Sequence, residues 1–231
     1  MWPARVGRAK NQMSTELAAR HRAAVVLARY DASSAAPEGI APDAFAAACL
    51  LDSYEVLADL IGVQSGIAGP PEVAELLWPG ALQLPADITV RAIAGQLGGQ
   101  VDELVVVPAD VPDLPGLVLA KLFKVLHRTD IAIAPERSGA GCVAIGVSLP
   151  LAEWIPDDAF DLDHNPFARL SAIAPRKSRC ALAPTWHRLR TPARVAPRME
   201  ATHGARGGGP PRVPTAHRRC TRSAHPPHFG E

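Results

Sequence analysis

Leu104-Val-Val-Val107 runs into Pro108-Ala-Asp110-Val-Pro112-Asp113-Leu-Pro115, then into Gly116–His127, then into Ile131-Ala-Ile-Ala134. The outer pieces are short, β-branched apolar runs of strand length, and the proline-rich piece is a turn. Gly116–His127 carries Leu117, Leu119, Leu122, Phe123 and Leu126 at largely helical spacing. A strand, a crossover helix and a parallel strand form a βαβ unit, which is nearly always right-handed. This stretch predicts an α/β domain with a parallel sheet and helices on its faces.

The same alternation extends in both directions. Ala23–Ala28 reads as a strand, followed by an Ala/Ser/Pro/Gly-rich loop, Asp31–Pro42. Asp43–Leu60 reads as a helix, with Pro42 and Asp43 suited to its first turn. Val63–Ala68 is a second strand, Pro70 and Pro71 open a short helix through Leu77, Ala81–Leu84 is a third strand, and Ile88–Leu97 is another helix. Beyond Ala134, Pro135–Gly141 is a loop and Cys142–Val147 a further strand. Ligands of open α/β sheets bind beyond the carboxyl ends of the strands. Asp110 and the Glu136–Gly141 loop both fall at that edge.

The 231 residues are 48% apolar and 20% charged, which suits one α/β domain plus a tail. The absence of an apolar run of about 18 residues rules out a transmembrane helix and makes a membrane partner unexpected. The N-terminus MWPARVGRAK lacks the apolar stretch of a signal peptide. Cys49, Cys142, Cys180 and Cys220 lie far apart and show neither zinc-site spacing nor a disulfide framework. The expectation is a soluble cytoplasmic protein with reduced thiols.

A net charge of +1 conceals an asymmetry. Residues 176–231 hold 12 Lys+Arg and two acids, whereas residues 1–175 hold 12 Lys+Arg and 21 acids. From Val195 onward, stretches such as RGGGPPRVPTAHRRC cannot bury enough surface to offset ordering entropy, so 195–231 is predicted to be disordered. A basic tail suggests nucleic acid, but Phe229 is the one aromatic after Trp186, so a stacking platform is missing and nucleic acid is not the expected partner. Residues 1–22 are predicted to be an N-terminal extension, helical in composition from Ser14.

Several residues are candidates for chemistry. A carboxylate directly after a buried strand, as at Asp110, can point into the crevice and hold Mg²⁺, a hard cation that prefers oxygen ligands. Asp113 has a structural alternative as N-cap of the following helix, with Pro115 in the first turn. Ser138-Gly139-Ala140-Gly141 either lets backbone amides approach a phosphate or is simply a tight turn. Glu136 and Arg137 are ligand contacts or solvated loop charges. His164 sits between Asp161-Leu-Asp163 and Asn165, which resembles a metal cluster, but two acids around one histidine is a pattern of low specificity and the favoured reading is a helix start capped by Asn165 with Pro166 at the first position. Cys142 is expected to be a small core residue.

From Asp43 to about Pro192 the chain resembles the nucleotide-diphospho-sugar transferase superfamily, the GT-A fold. The nearest likenesses are the radical-SAM/selenodomain-associated transferases and 2-phospho-L-lactate guanylyltransferase, a relative of molybdenum cofactor guanylyltransferase that serves deazaflavin coenzyme synthesis. Both pair an apolar strand with an Asp-x-Pro turn, here Leu104–Pro108 and Asp110-Val-Pro112. Both follow the next strand with Pro, an acid and a glycine-rich loop, here Pro135-Glu136-Arg-Ser138-Gly139-Ala-Gly141. Cys142-Val-Ala-Ile-Gly146, Phe45 and Leu50-Leu51-Asp52 resemble further features of the first family.

The resemblance implies a three-layer αβα, Rossmann-like GT-A domain over 23–194. It also implies a Mg²⁺-dependent nucleotidyl- or glycosyltransferase that uses a nucleoside triphosphate or nucleotide sugar and a small-molecule acceptor. Asp110 corresponds to the metal-binding, catalytic aspartate, and Glu136, Ser138, Gly139 and Gly141 lie near the nucleotide. The chain departs from the family in three places. The basic stretch after strand one is reduced to Arg29 followed by Asp31-Ala-Ser-Ser-Ala-Ala-Pro-Glu-Gly39, without lysine, and Gly7-Arg8-Ala9-Lys10 is similar but ahead of that strand. The closing Asp-x-Asp-Thr-Pro turn reads Arg188-Leu189-Arg190-Thr191-Pro192. The guanylyltransferases' Thr-Asn reads Cys142-Val143. Either Arg188 and Arg190 contact phosphates themselves, through the bidentate fork that suits phosphate oxygens, or the site is degenerate and binds a nucleotide or protein without catalysis.

Overall fold

The computed structural model describes residues 20–191. The expected extension through Ala19, with its Gly7–Lys10 stretch, and the expected disordered tail, 195–231, lie outside the described residues, as do 192–194.

The described chain is ordered as β1 (Arg22–Leu27), α1 (Pro42–Ala58), β2 (Val63–Ala68), β3 (Leu82–Leu84), α2 (Val90–Leu97), β4 (Glu103–Pro108), α3 (Gly116–Leu126), β5 (Ile131–Pro135), β6 (Cys142–Ser148), α4 (Phe167–Ile173) and β7 (Cys180–Leu182). The seven strands form one sheet in the order β3-β2-β1-β4-β6-β5-β7. Their side chains alternate between two apolar layers, as pleating requires. Ala23, Val25, Leu27, Leu104, Val106, Ile131 and Ile133 face α2 and the 155–170 segment. Ala24, Val26, Val105, Val107, Ala132 and Ala134 face α1 and α3. Because both faces are covered, the strands read as continuous apolar runs. The architecture is the expected three-layer αβα domain.

The parallel-sheet expectation needs one correction. β6 pairs antiparallel with both β4 and β5, so it separates the two strands of the βαβ unit. A parallel connection needs a dozen or more residues, and the 136–141 link is too short for one. A second correction concerns Asp113. Pro115 takes the N-cap position of α3 without a side-chain cap bond, and the Asp113 Oδ2 lies 3.0 Å from His187 Nε2. Asn165 does accept the N–H of Phe167, at 3.1 Å, at the start of α4, although Pro166 rather than Asn165 holds the N-cap position.

At the amino-terminal edge of the sheet, Glu103 is fully buried. Arg20 Nη1 and Arg22 Nε each lie 3.0 Å from one of its oxygens, and His127 Nδ1 lies 3.3 Å away. Strand order reverses direction at the β1/β4 pair, the switch point at which open α/β sheets form ligand crevices. Among the described residues, no helix is long and apolar enough to cross a membrane.

Candidate functional site

The loops after β1 and β4 diverge at this switch point and leave a cleft of about 350 Å³. It is lined by Arg29, Tyr30, Asp31, Ser34, Asp110, Asp163, Arg188 and Arg190. Tyr30 lies in the turn after β1, its backbone N–H donating to the Leu27 carbonyl, and is half-buried. The Arg29 guanidinium lies 5.0 Å from its ring centroid and that of Arg188 lies 5.4 Å away. A cation at this range is attracted by the ring quadrupole. Arg29 Nη1 also donates to the carbonyl of Ile88 at 2.8 Å.

Asp110 does not stand open to the cleft. It is 2% exposed, as is Arg188, and Arg188 Nε donates to both carboxylate oxygens, at 2.8 and 2.9 Å. Arg188 Nη1 donates to the carbonyl of Leu162 at 2.8 Å and to Asp163 Oδ1 at 3.0 Å. Arg190 Nη2 donates to the same Asp163 oxygen at 2.8 Å. Burial pushes the Asp110 carboxyl up to about 6, while the hydrogen bond and the charge of Arg188 pull it down. Desolvation of the carboxylate is the larger effect.

Arg188 and Arg190 both reach Asp163, whereas Leu189 packs with Ala32, Ala35 and Cys49. The hairpin after β5 supplies the neighbouring wall. Glu136 is buried and Arg190 Nε lies 3.7 Å from its Oε2. Gly141 lies so close that a Cβ there would meet Leu162 O at 2.7 Å and Arg190 Nη2 at 2.8 Å. Ser138 and Gly139 sit at the exposed hairpin tip. Gly139 has φ +81°, and the Ser138 hydroxyl accepts the N–H of Ala140. Neither lines the cleft with Asp110. Cys142 is fully buried, and burial raises its thiol to about 12. His164 is exposed and pairs with Asp161 at 2.8 Å.

The cleft therefore brings together Asp110, Arg188 and Arg190, with Glu136 and Gly141 as supports. The sequence reading did not single out Tyr30, and it weighed Asp163 only beside His164, not as the partner of Arg188 and Arg190.

No protein-family model matches the chain, and no curated protein matches it in sequence. Solved structures match in fold. A protein from Desulfovibrio desulfuricans G20 assigned as a nucleotide-diphospho-sugar transferase superposes with a TM-score of 0.54 at 17% identity, over 81% of this chain and 91% of that one. The 4-diphosphocytidyl-2C-methyl-D-erythritol synthase of Anaerococcus prevotii DSM 20548 superposes with a TM-score of 0.55 at 8% identity, over 82% and 99%. This chain has the nucleotide-diphospho-sugar transferase fold. At such identities the likeness extends to the backbone path, and the transferase-fold cleft must be read from its own side chains.

Those side chains do not fit Mg²⁺ on Asp110. The ion binds oxygen at about 2.0–2.1 Å and usually keeps several waters, yet Arg188 Nε already bridges both Asp110 oxygens in a buried setting. Among the described residues, no group of three or more His, Cys, Asp or Glu is arranged to hold a metal ion.

Proposed function

We propose that the chain is a nucleotide-dependent transferase that takes a nucleoside triphosphate or nucleotide sugar in the β1/β4 cleft, beside a small-molecule acceptor. The observation that carries this reading is the convergence of Tyr30, Arg29, Ser34 and Arg190 on one cleft at the carboxyl edge of this fold. The Tyr30 ring offers a π surface, Arg29 and Arg190 offer donors for phosphate oxygens, and Glu136 and Gly141 hold Arg190 in place. Asp110 serves here as a positioning residue that acts through Arg188. Three arginines face three aspartates around the cleft. This balance favours a nucleotide sugar, whose diphosphate is esterified at both ends, over a more highly charged triphosphate. A guanylyltransferase of the 2-phospho-L-lactate type is a narrower alternative, and Cys142-Val143 in place of Thr-Asn counts against it.

A second reading, a non-catalytic nucleotide-binding protein, is favoured by the Arg188–Asp110 pair itself. Titration calorimetry of the full chain with common ribonucleoside triphosphates, UDP-glucose and GDP-mannose tests the shared claim, and the absence of binding to any of them would overturn both readings. Release of pyrophosphate or nucleoside diphosphate in the presence of acceptors separates the transferase from the silent binder.

A further inference from the structure

We propose that Arg188 is a resident cation that takes the place of a divalent metal ion on Asp110, so that the cleft binds its ligand without one. The second half of this statement rests on the nucleotide reading of the cleft, whereas the first stands on geometry alone.

Arg188 Nε lies at nearly equal distances from the two Asp110 oxygens, in the position from which a cation would neutralise both. A guanidinium stays charged at every relevant pH, so it is a permanent cation where a metal ion would exchange. It is also locked. Nη1 spans the Leu162 carbonyl and Asp163 Oδ1, and the plane sits 5.4 Å from the Tyr30 ring centroid. Swinging Arg188 aside would strand the buried Asp110 carboxylate, although the Leu162 carbonyl would keep the N–H of Cys142 at 2.9 Å. Asp163, the nearest second carboxylate, already takes both arginines on one oxygen. Arg188, bonded to both carboxylate oxygens, is thus the neutralising group on Asp110, and the chain carries its counter-charge covalently.

Mn²⁺ binding to the full-length chain, followed by electron paramagnetic resonance, tests the first half. The native protein and Asp110→Asn should leave the free Mn²⁺ signal equally unchanged. Arg188→Met, which removes the charge at similar length, should acquire a bound ion that is lost again when Asp110→Asn is added. Stoichiometric Mn²⁺ uptake by the native protein that Asp110→Asn removes would overturn the proposal. The native protein and Asp110→Asn decide this even where Arg188→Met fails to fold. For the second half, the affinity for UDP-glucose or a ribonucleoside triphosphate should change by less than about threefold between Mg²⁺ and EDTA. A loss of about tenfold or more in EDTA that is absent from Asp110→Asn would refute metal independence. If no nucleotide binds in either medium, the nucleotide reading fails while the Mn²⁺ result stands.

Discussion

The backbone N–H of Leu189 donates to the carbonyl oxygen of Asp110 at 2.8 Å. Asp110 is thus tied to the 188–190 tripeptide twice, by its main chain through Leu189 and by its carboxylate through Arg188. The loop after β4 and the segment after β7 are joined at Asp110, across 78 residues of sequence, and again where Asp113 meets His187.

Removing one partner of this buried pair should cost far more than removing its exposed neighbour. Arg188→Met leaves the Asp110 charge uncompensated and should lower unfolding free energy by about 3–5 kcal/mol. Arg190, 34% exposed in its side chain, should cost less than about 1 kcal/mol as Arg190→Ala, yet weaken nucleotide binding. Urea unfolding checks the first pair of numbers and calorimetry the last effect.

The Asp110 carboxyl sits at about 6 in the folded protein against 3.8 for an ordinary aspartate, chiefly because burial disfavours its charge. A folded-state value raised in this way means that the native state holds the proton more tightly. The resulting stabilisation is complete below about pH 4 and is lost as pH rises through about 6. Asp110→Asn does not titrate. Scanning calorimetry should therefore find the Tm of the variant gaining on that of the native protein across this window. A gap that moves the other way would show Arg188 pairing outweighing burial.

Gly139 and Gly141 should fail for different reasons. Gly139→Ala forces an L side chain into the left-handed region at an exposed turn, a cost of about 1–2 kcal/mol with the cleft unaffected. Gly141→Ala drives a methyl group into Leu162 O and Arg190 Nη2, so it should cost about 1–3 kcal/mol and also displace Arg190. Denaturation separates the costs, and only Gly141→Ala should alter ligand affinity.

Burial raises the thiols of Cys49 to about 11 and Cys142 to about 12. Since the thiolate is the reactive form, both should resist Ellman's reagent at neutral pH until denaturant is added. Mass mapping of labelled peptides would show this, and rapid native labelling of either would contradict the packing around it.

Much of the fold was legible because the strands are β-branched runs bounded by proline and glycine. Val63–Ala68 matches its expected bounds, β5 and β6 run one residue further at one end, and β1 and β4 differ by one residue at both ends. The antiparallel course of β6 was implicit in a link too short for a crossover, but periodicity within a strand carries no direction. At the site, Asp110 could be placed at the carboxyl edge from its position after a strand. Its pairing with Arg188 could not, because that contact depends on how the β4 and β7 loops converge. Tyr30 fell between the expected strand Ala23–Ala28 and the expected loop Asp31–Pro42, and Asp163 stayed behind the local capping role of its neighbours.

Arg20 and Arg22 both reach Glu103, so the start of β1 and the residues just before it are tied to the sheet by charge as well as by pairing. A trimmed version starting at Ala23 would keep every strand after the first intact on paper, yet would strip two guanidinium partners from a carboxylate with no access to solvent. Any recombinant fragment meant to keep Glu103 paired must include Arg20 and Arg22.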